Sequence, residues 1–184
     1  MHDDAGRSIY LTPWRVDIVR RGGVEVPLAG AEVSRQVDRA LRACAAPEPG
    51  SVTVVFTDDA ELAELNREHM GHRGPTDVLS FPMLEPDAFD QISRRAAGGR
   101  SRVRAKGMSR THIGDIAISV ERAAEQAVEG RGGQTGDVRW SVADELRLLV
   151  THGTLHLCGW DHAEPAEEAA MRALERRLLG LAEG

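Results

Sequence analysis

The sequence predicts an α+β fold, in which a small mixed β-sheet packs with about five helices. Segments with strand-like and helix-like apolar patterns are interspersed along the chain without strict alternation. The 184 residues include 41% apolar and 28% charged side chains, as in an ordinary globular protein. The apolar stripes of these segments use most of the apolar residues, so no second core is left over. We therefore predict a single domain over residues 1–184.

The first half of the chain predicts four elements. Residues 14–20 alternate apolar and polar side chains, which is typical of a strand. A helix with one apolar face follows over roughly 31–46, and the apolar run 51–56 predicts a buried strand. A capping-box pattern then opens a helix over about 59–70.

Two further strands, at 76–81 and 113–120, are separated by a long segment rich in Gly, Arg and Ser. A structureless loop of that length is uncommon inside a domain, so we predict a flexible insertion at about 83–111. Within it, residues 94–110 carry seven basic residues and no acid, although the chain as a whole has a net charge of −6. This basic segment either contacts phosphates or forms a solvated, disordered loop.

Three helices complete the prediction. The first covers about 119–129 and is followed by the Gly-rich linker 130–137. The second covers about 142–158, near the C-terminal end, where Ser141 and Asp144 form its cap. The last begins near Pro165, a residue favoured in the first turn of a helix.

The composition of the chain also predicts where in the cell the protein is located. The first residues are acidic and no apolar signal-peptide core follows them, and no run reaches the roughly 18 apolar residues that a membrane span needs. We therefore expect a cytoplasmic protein with no membrane partner. Cys44 and Cys158 make no disulfide framework, and we expect both to be small buried apolar residues.

The stretch THGTLHLCGWDH contains the strongest candidate site. His152 and His156 are four residues apart on a predicted helix, which places their side chains one above the other and within reach of one zinc ion. Gly159 can adopt a left-handed conformation and turn the chain. His162 can then return toward the metal as the third ligand. We predict metal binding by these three histidines.

Three neutral nitrogen ligands would leave one coordination position open, as catalytic zinc sites do. Cys158 faces away on the helix, and Asp161 either holds a histidine N–H or caps the final helix. A zinc protease with this spacing carries Glu directly after the first histidine, whereas this chain has Gly153. The missing carboxylate argues against peptide hydrolysis, and a glycine inside a helix suggests close approach of another backbone or of substrate.

Three sequence blocks carry a resemblance to a known family. HGTLHLCGWDH, LNREHMGHRGPTDVLSFP (65–82) and GDIAIS (114–119) resemble, in the same order, the signatures of the YbeY family of bacterial metallo-endoribonucleases. The resemblance runs from about residue 14 to residue 178, and 83–111 is the main part that matches poorly.

The resemblance implies a single α+β domain that holds one Zn2+ per chain through His152, His156 and His162. It implies cleavage of single-stranded RNA, with roles in maturing the 3′ end of small-subunit ribosomal RNA and in ribosome quality control. The implied partners are single-stranded RNA, ribosomal RNA and ribosomal subunits, with no DNA expected.

One position departs from the family pattern. Where the family commonly has an arginine that is a candidate for phosphate contact or catalysis, this chain has Met70. Arg67 and Arg73 are nearby in the sequence and are candidates to replace it. Asp77 and Asp115 recur in the family blocks, where turn, cap or strand-end roles are as plausible as chemistry.

Two rival hypotheses remain open at this point. One is a non-catalytic ribosome-assembly factor whose zinc is structural, in which case metal loss would unfold the protein. The other is a peptidase of altered mechanism, against which Gly153 argues. For an endoribonuclease, either water or the 2′-hydroxyl of the RNA would be the nucleophile.

Overall fold

A five-stranded β-sheet organises the described part of the chain. In chain order the strands are β1 (Arg7–Leu11), β2 (Trp14–Arg20), β3 (Gly50–Thr57), β4 (Val78–Pro82) and β5 (Thr111–Ser119). Their order in space is β1-β2-β3-β5-β4. The central strands β2, β3 and β5 run parallel, whereas β1 and β4 pair antiparallel at the two edges. The predicted small mixed sheet is confirmed.

Five helices accompany the sheet within the residues that this computed structural model describes. They are α1 (Gly30–Ala43), α2 (Asp59–Leu65), α3 (Val120–Glu129), α4 (Val142–Leu157) and α5 (Pro165–Leu179). The described residues are 6–71, 74, 76–86, 88–89, 110–129, 140–161 and 164–181. None of the described helices is long and apolar enough to cross a membrane. The single-domain α+β prediction is confirmed.

The predicted helix over 59–70 is divided in the structure. After α2 the backbone continues as a π-helical turn, Asn66–Met70, which ends at Gly71 with a φ of 69°. Asn66 is buried at the junction, and its side-chain amide donates to the carbonyl of Gly74 at 3.1 Å. A polar side chain that must be both buried and bonded thus fixes the start of the loop that leads to β4.

Helix α4 lies in the centre of the packing. Its residues Leu146, Val150 and Leu157 are fully buried in the main core, together with the inward side chains of the central strands. Burial of each such side chain stabilises the fold by about 1.5–3 kcal/mol. The position of α4 is therefore set by apolar packing along its whole length.

Gly153 allows α4 to approach the sheet closely. A Cβ atom at this position would lie 2.7 Å from Cγ2 of Ile116, 3.2 Å from Oγ of Ser80 and 3.3 Å from Cγ2 of Val78. The Ser80 hydroxyl also donates to the Gly153 carbonyl at 3.1 Å. The expectation that another backbone or a substrate approaches here is corrected, because the neighbours are side chains of β4 and β5.

Some sequence predictions differ from the structure or fall outside it. Strand β1 was not predicted, because it is short and mostly exposed at the edge of the sheet. In the predicted insertion 83–111, Phe89 is buried in the core and Leu84 packs against it. Residues 90–109 and the linker 130–137 lie outside the described residues. Cys158 is buried, as predicted for a small apolar residue, whereas Cys44 is only half-buried.

The N-terminus of α4 supplies a first testable prediction. The backbone N–H of Ser141 donates to the Asp144 carboxylate at 3.0 Å, and Asp144 N donates to the Ser141 hydroxyl at 3.2 Å. Arg147 pairs with the same carboxylate at 2.6 Å. Burial alone would raise the pKa of Asp144, but the Ser141 hydrogen bonds and the Arg147 charge outweigh it and lower the pKa.

A lowered folded-state pKa means that the carboxylate stabilises the fold above its unfolded pKa, about 3.9, and stops doing so as the pH falls through the folded value. We expect Asp144→Asn to lose about 0.5–1 kcal/mol of stability at pH 7, allowing for the partial exposure of the pair. The difference from wild type should disappear as the pH falls through the lowered folded-state pKa of Asp144. Thermal melts of both proteins across this pH range measure it, and a pH-independent difference would refute the assignment.

Candidate metal centre

Two of the three predicted ligands meet on one face of α4. His152 and His156 lie one helical turn apart, with ring centroids 4.5 Å apart and planes at 81°. Their Nε2 atoms are 3.0 Å apart. The four-residue spacing therefore brings the same ring nitrogen of each histidine to one point.

The ring of His156 is held by the end of its own helix. Its Nδ1 lies 2.8 Å from the carbonyl oxygen of Trp160. Because a carbonyl can only accept, Nδ1 must carry the proton, and the Nε2 of the neutral ring then presents a lone pair. Hydrogen bonding thus assigns the tautomer that a metal ligand requires.

The ring of His152 is held by a second helix. Its Nδ1 lies 2.6 Å from Oε1 of Glu175, a residue of α5 that is only 8% exposed. A carboxylate accepts from Nδ1–H, and in the neutral His152 ring this tautomer leaves the Nε2 with a lone pair. A buried carboxylate behind a histidine is the arrangement that orients imidazole ligands at metal sites.

The two nitrogens form a donor set that suits a divalent metal such as zinc. Two imidazole Nε2 atoms 3.0 Å apart require a positive charge between them, either a shared proton or a metal ion. Neutral imidazole nitrogen is a preferred zinc ligand. The residues present therefore fit the implied metal, with His152 and His156 as ligands.

The third predicted ligand, His162, lies outside the described residues. Within the described ranges no group of three or more His, Cys, Asp or Glu side chains could hold a metal. The complete three-histidine set therefore stays a prediction.

The turn that should deliver His162 is present. Gly159 has a φ of 84°, in the left-handed region, and its N–H donates to the His156 carbonyl at 3.0 Å. Trp160 N donates to Leu155 O at 3.1 Å, which closes the end of α4. This is the glycine turn that the sequence predicts. Glu164, and not Asp161, occupies the N-cap position of helix α5.

Of the two arginines proposed to replace the family arginine, Arg67 lies within the described residues and Arg73 does not. Arg67 is 2.5 Å from Oε1 of Glu64 and 3.6 Å from Glu68, on an exposed face of the π-helical turn. The hydrogen bond from Arg67 lowers the pKa of Glu64, so the pair is charged at neutral pH. Arg73 lies outside the described residues. Met70 is 42% exposed, and the phosphate-contacting roles of Arg67 and Arg73 stay predictions.

The two aspartates of the family blocks have structural contacts. Asp77 accepts from the N–H of Val78 at 2.9 Å and from Nε2 of Gln126 at 2.9 Å, which fixes the start of β4. Asp115 pairs with Nε2 of His112 at 3.0 Å. These contacts favour the strand-end role for Asp77.

Glu175 is the residue that sequence reasoning missed. It lies on the inward face of α5, in register with Met171, Leu174 and Leu178, which pack in the smaller core cluster. An acidic residue on the apolar face of a helix is a usable signal, because a buried carboxylate requires a partner.

Replacing Glu175 should weaken metal binding while the protein stays folded. In Glu175→Gln the volume is kept, but the side chain no longer supplies a charged acceptor for Nδ1 of His152. Loss of such a partner typically costs about 10–100-fold in metal affinity. Competition with a chromophoric zinc chelator measures the dissociation constant. If Glu175→Gln binds zinc as tightly as wild type, Glu175 does not orient His152 for metal binding.

Comparisons with known proteins identify the family to which the chain is similar. The family model described as Endoribonuclease YbeY matches residues 24–182. Among curated proteins, Endoribonuclease YbeY of Salinispora tropica is 40% identical over 156 residues, covering 82% of this chain and 89% of that protein. Endoribonuclease YbeY of Micrococcus luteus is 41% identical over 165 residues, covering 89% of each.

A solution structure of a Thermotoga maritima protein is also similar, with a TM-score of 0.48, 21% identity, and coverage of 91% of this chain and 89% of that one. The matched relatives are endoribonucleases, which are nuclease enzymes. The chain belongs to the YbeY family of endoribonucleases.

Proposed function

We propose that the protein is a single-strand-specific, zinc-dependent endoribonuclease that matures the 3′ end of small-subunit ribosomal RNA and acts in ribosome quality control. Its partners would be ribosomal RNA and ribosomal subunits in the cytoplasm. The observation that carries the proposal is the convergence of the Nε2 atoms of His152 and His156, 3.0 Å apart. Membership of the family supplies the RNA substrate.

His152, His156 and His162 would hold the metal. When bound there, zinc would polarise a phosphoryl oxygen and lower the pKa of a coordinated water. Glu175 and the Trp160 carbonyl keep both described rings in the tautomer that leaves Nε2 open. Arg67 and Arg73 would supply positive charge beside the phosphate, and Arg67 would have to exchange its contact with Glu64 for the substrate.

The position next to His152 supports phosphodiester over peptide chemistry. Gly153 provides no carboxylate to act as the general base of a zinc peptidase. The three side chains that a Cβ at Gly153 would meet most closely belong to Ile116, Ser80 and Val78, and none of these is a carboxylate. Phosphoryl transfer depends more on charge stabilisation and positioning than on such a base.

The packing of α4 favours a catalytic over a structural metal. The helix is held in place by three fully buried side chains, Leu146, Val150 and Leu157. The two histidines lie on one side of the helix and are not part of this packing. We therefore expect chelation to leave a folded protein whose melting temperature falls only by the ligand-linkage contribution. A structural zinc would instead make the chelated protein unfold, and circular dichroism with and without chelator separates the two.

Cleavage itself is tested with a single-stranded fragment from the 3′ end of small-subunit ribosomal RNA and a duplex of the same sequence. The zinc-loaded protein should cut the single strand and spare the duplex. Chelator should stop cleavage, and added zinc should restore it. Product ends then identify the nucleophile, since a cyclic phosphate indicates the 2′-hydroxyl. Equal cleavage of strand and duplex would overturn strand specificity.

A further inference from the structure

The chain contains two cysteines, and the fold brings them together. Cys44 is the C-cap residue of α1, and Cys158 occupies the same position at the end of α4. The two helices pack against each other, and the two thiols are in hydrogen-bond contact. Both thiols are free. Two free thiols that touch, although they come from distant segments, are the arrangement from which a disulfide forms.

The two thiols differ in exposure, and this difference decides which of them reacts first with an oxidant. Cys44 is half-buried, whereas Cys158 is only 6% exposed. The Cys158 thiol and the Trp160 side chain both donate to the Cys44 sulfur, and these hydrogen bonds lower the pKa of the Cys44 thiol despite its partial burial. An oxidant attacks the thiol that is more exposed and has more thiolate character. Cys44 is therefore the attacking thiol, and Cys158 lies beside it as the resolving thiol.

Cys158 belongs to the turn that holds the candidate metal ligand His156. It lies two residues after His156 and directly before Gly159, whose left-handed conformation makes the turn. Trp160, in the same turn, accepts from Nδ1 of His156 through its carbonyl at 2.8 Å and contacts the Cys44 thiol through its side chain. A change in the bonding of either sulfur is thus transmitted to the group that orients His156.

We propose that Cys44 and Cys158 are a redox modification site, at which hydrogen peroxide converts the two thiols into a reversible disulfide that weakens metal binding at His156. The Cys44 sulfur attacks the peroxide, so that an S–O bond forms, the O–O bond breaks, and the leaving hydroxide takes the Cys44 proton as water. The Cys158 sulfur then attacks the sulfenic acid: the S–S bond forms, the S–O bond breaks, and the hydroxide leaves with the Cys158 proton as a second water. The two sulfurs together lose two electrons to the peroxide, and a dithiol reductant restores them.

The effect on the metal follows from the position of Trp160. A disulfide draws the Cys158 sulfur toward α1 and takes the Cys44 sulfur away from its contact with the Trp160 side chain. Loss of the partner that orients a metal-bound histidine typically costs about 10–100-fold in metal affinity. We expect about a tenfold loss, because the Trp160 carbonyl is displaced and not removed. This effect rests on the proposed zinc site, whereas the disulfide itself does not.

The test uses the full-length, zinc-loaded protein before and after treatment with hydrogen peroxide. Mass spectrometry of unreduced peptides should show the Cys44 and Cys158 peptides joined, and a non-reducing denaturing gel should show single chains. Zinc affinity, measured by chelator competition after the peroxide is removed, should be about tenfold weaker. Dithiothreitol, followed by desalting, should restore it. Separate thiols after oxidation, a disulfide between two chains, or unchanged zinc affinity in the disulfide form would each overturn the proposal.

Cys44→Ala is the matched control, because peroxide also oxidises exposed methionines such as Met70 and Met83. This variant forms no disulfide within the chain, so peroxide should leave its zinc affinity within about twofold of its own untreated value. A peroxide-induced loss as large as that of wild type would assign the effect to other residues and overturn the proposal. Reduced wild type that binds no zinc would overturn the proposed function instead, and the peptide masses show with or without metal whether the disulfide forms.

Discussion

His156→Ala is expected to abolish metal binding and RNA cleavage together. The substitution removes one of the two Nε2 atoms that converge in α4, and the ligands that remain would not hold zinc at the affinity of the proposed three-histidine site. Because loss of a mere orienting partner already costs about 10–100-fold in metal affinity, loss of a ligand should cost more than about 100-fold. Cleavage should fall at least in proportion to metal occupancy.

Metal content by mass spectrometry and cleavage of a single-stranded RNA measure this prediction. His112→Ala is the matched control, because His112 also contacts a carboxylate, Asp115 at 3.0 Å, but lies on β5. The control should keep its zinc and its activity. Loss of cleavage in His156→Ala with full zinc occupancy would contradict the role of His156 as a ligand.

Gly153→Ala is expected to destabilise the protein although alanine is the better helix former. Helix propensity alone favours the change by about 1 kcal/mol. The new Cβ, however, would lie 2.7 Å from Cγ2 of Ile116, well inside contact distance. Overpacking of this kind typically costs about 1–3 kcal/mol, so the loss from overpacking should exceed the gain in helix propensity. The displacement of α4 should also disturb the adjacent His152 and lower zinc affinity.

Thermal and urea unfolding show directly whether the substitution lowers or raises the free energy of unfolding. We expect a melting temperature lower by about 2–4 °C per kcal/mol lost. Ala173→Gly is the control, since residue 173 is exposed in the middle of α5 and should follow propensity alone, with Ala preferred. A more stable Gly153→Ala would show that the sheet yields easily and that Gly153 has no packing role.

Much of the fold followed from local patterns in the sequence. The alternation in β2 and the capping box of α4 are short-range features, and both elements formed where they were predicted. The His152–His156 pair was equally predictable, because a spacing of four residues fixes the neighbours on a helix. Strand β1 was missed because its exposed edge position gives it little apolar alternation.

The rest of the site depends on contacts between distant parts of the chain. Glu175 reaches His152 only because α5 packs beside α4, and no local pattern encodes that distance. The Trp160 carbonyl is a backbone group, which no side-chain motif reveals. The role of Gly153 was only half predictable: the sequence indicates a close approach, but only the packing identifies Ile116 as the neighbour.

X-ray absorption at the zinc edge of the metal-loaded protein tests the central claim most directly. We predict one zinc per chain, bound by three imidazole nitrogens at about 2.0–2.1 Å and one water oxygen, with no sulfur in the coordination sphere. Cys158 is buried in the core, and its contact with Cys44 and its desolvation raise the pKa of its thiol. Both features are consistent with a coordination sphere that contains no sulfur. A sulfur ligand at about 2.3 Å, or a fourth protein ligand in place of water, would contradict the open catalytic site.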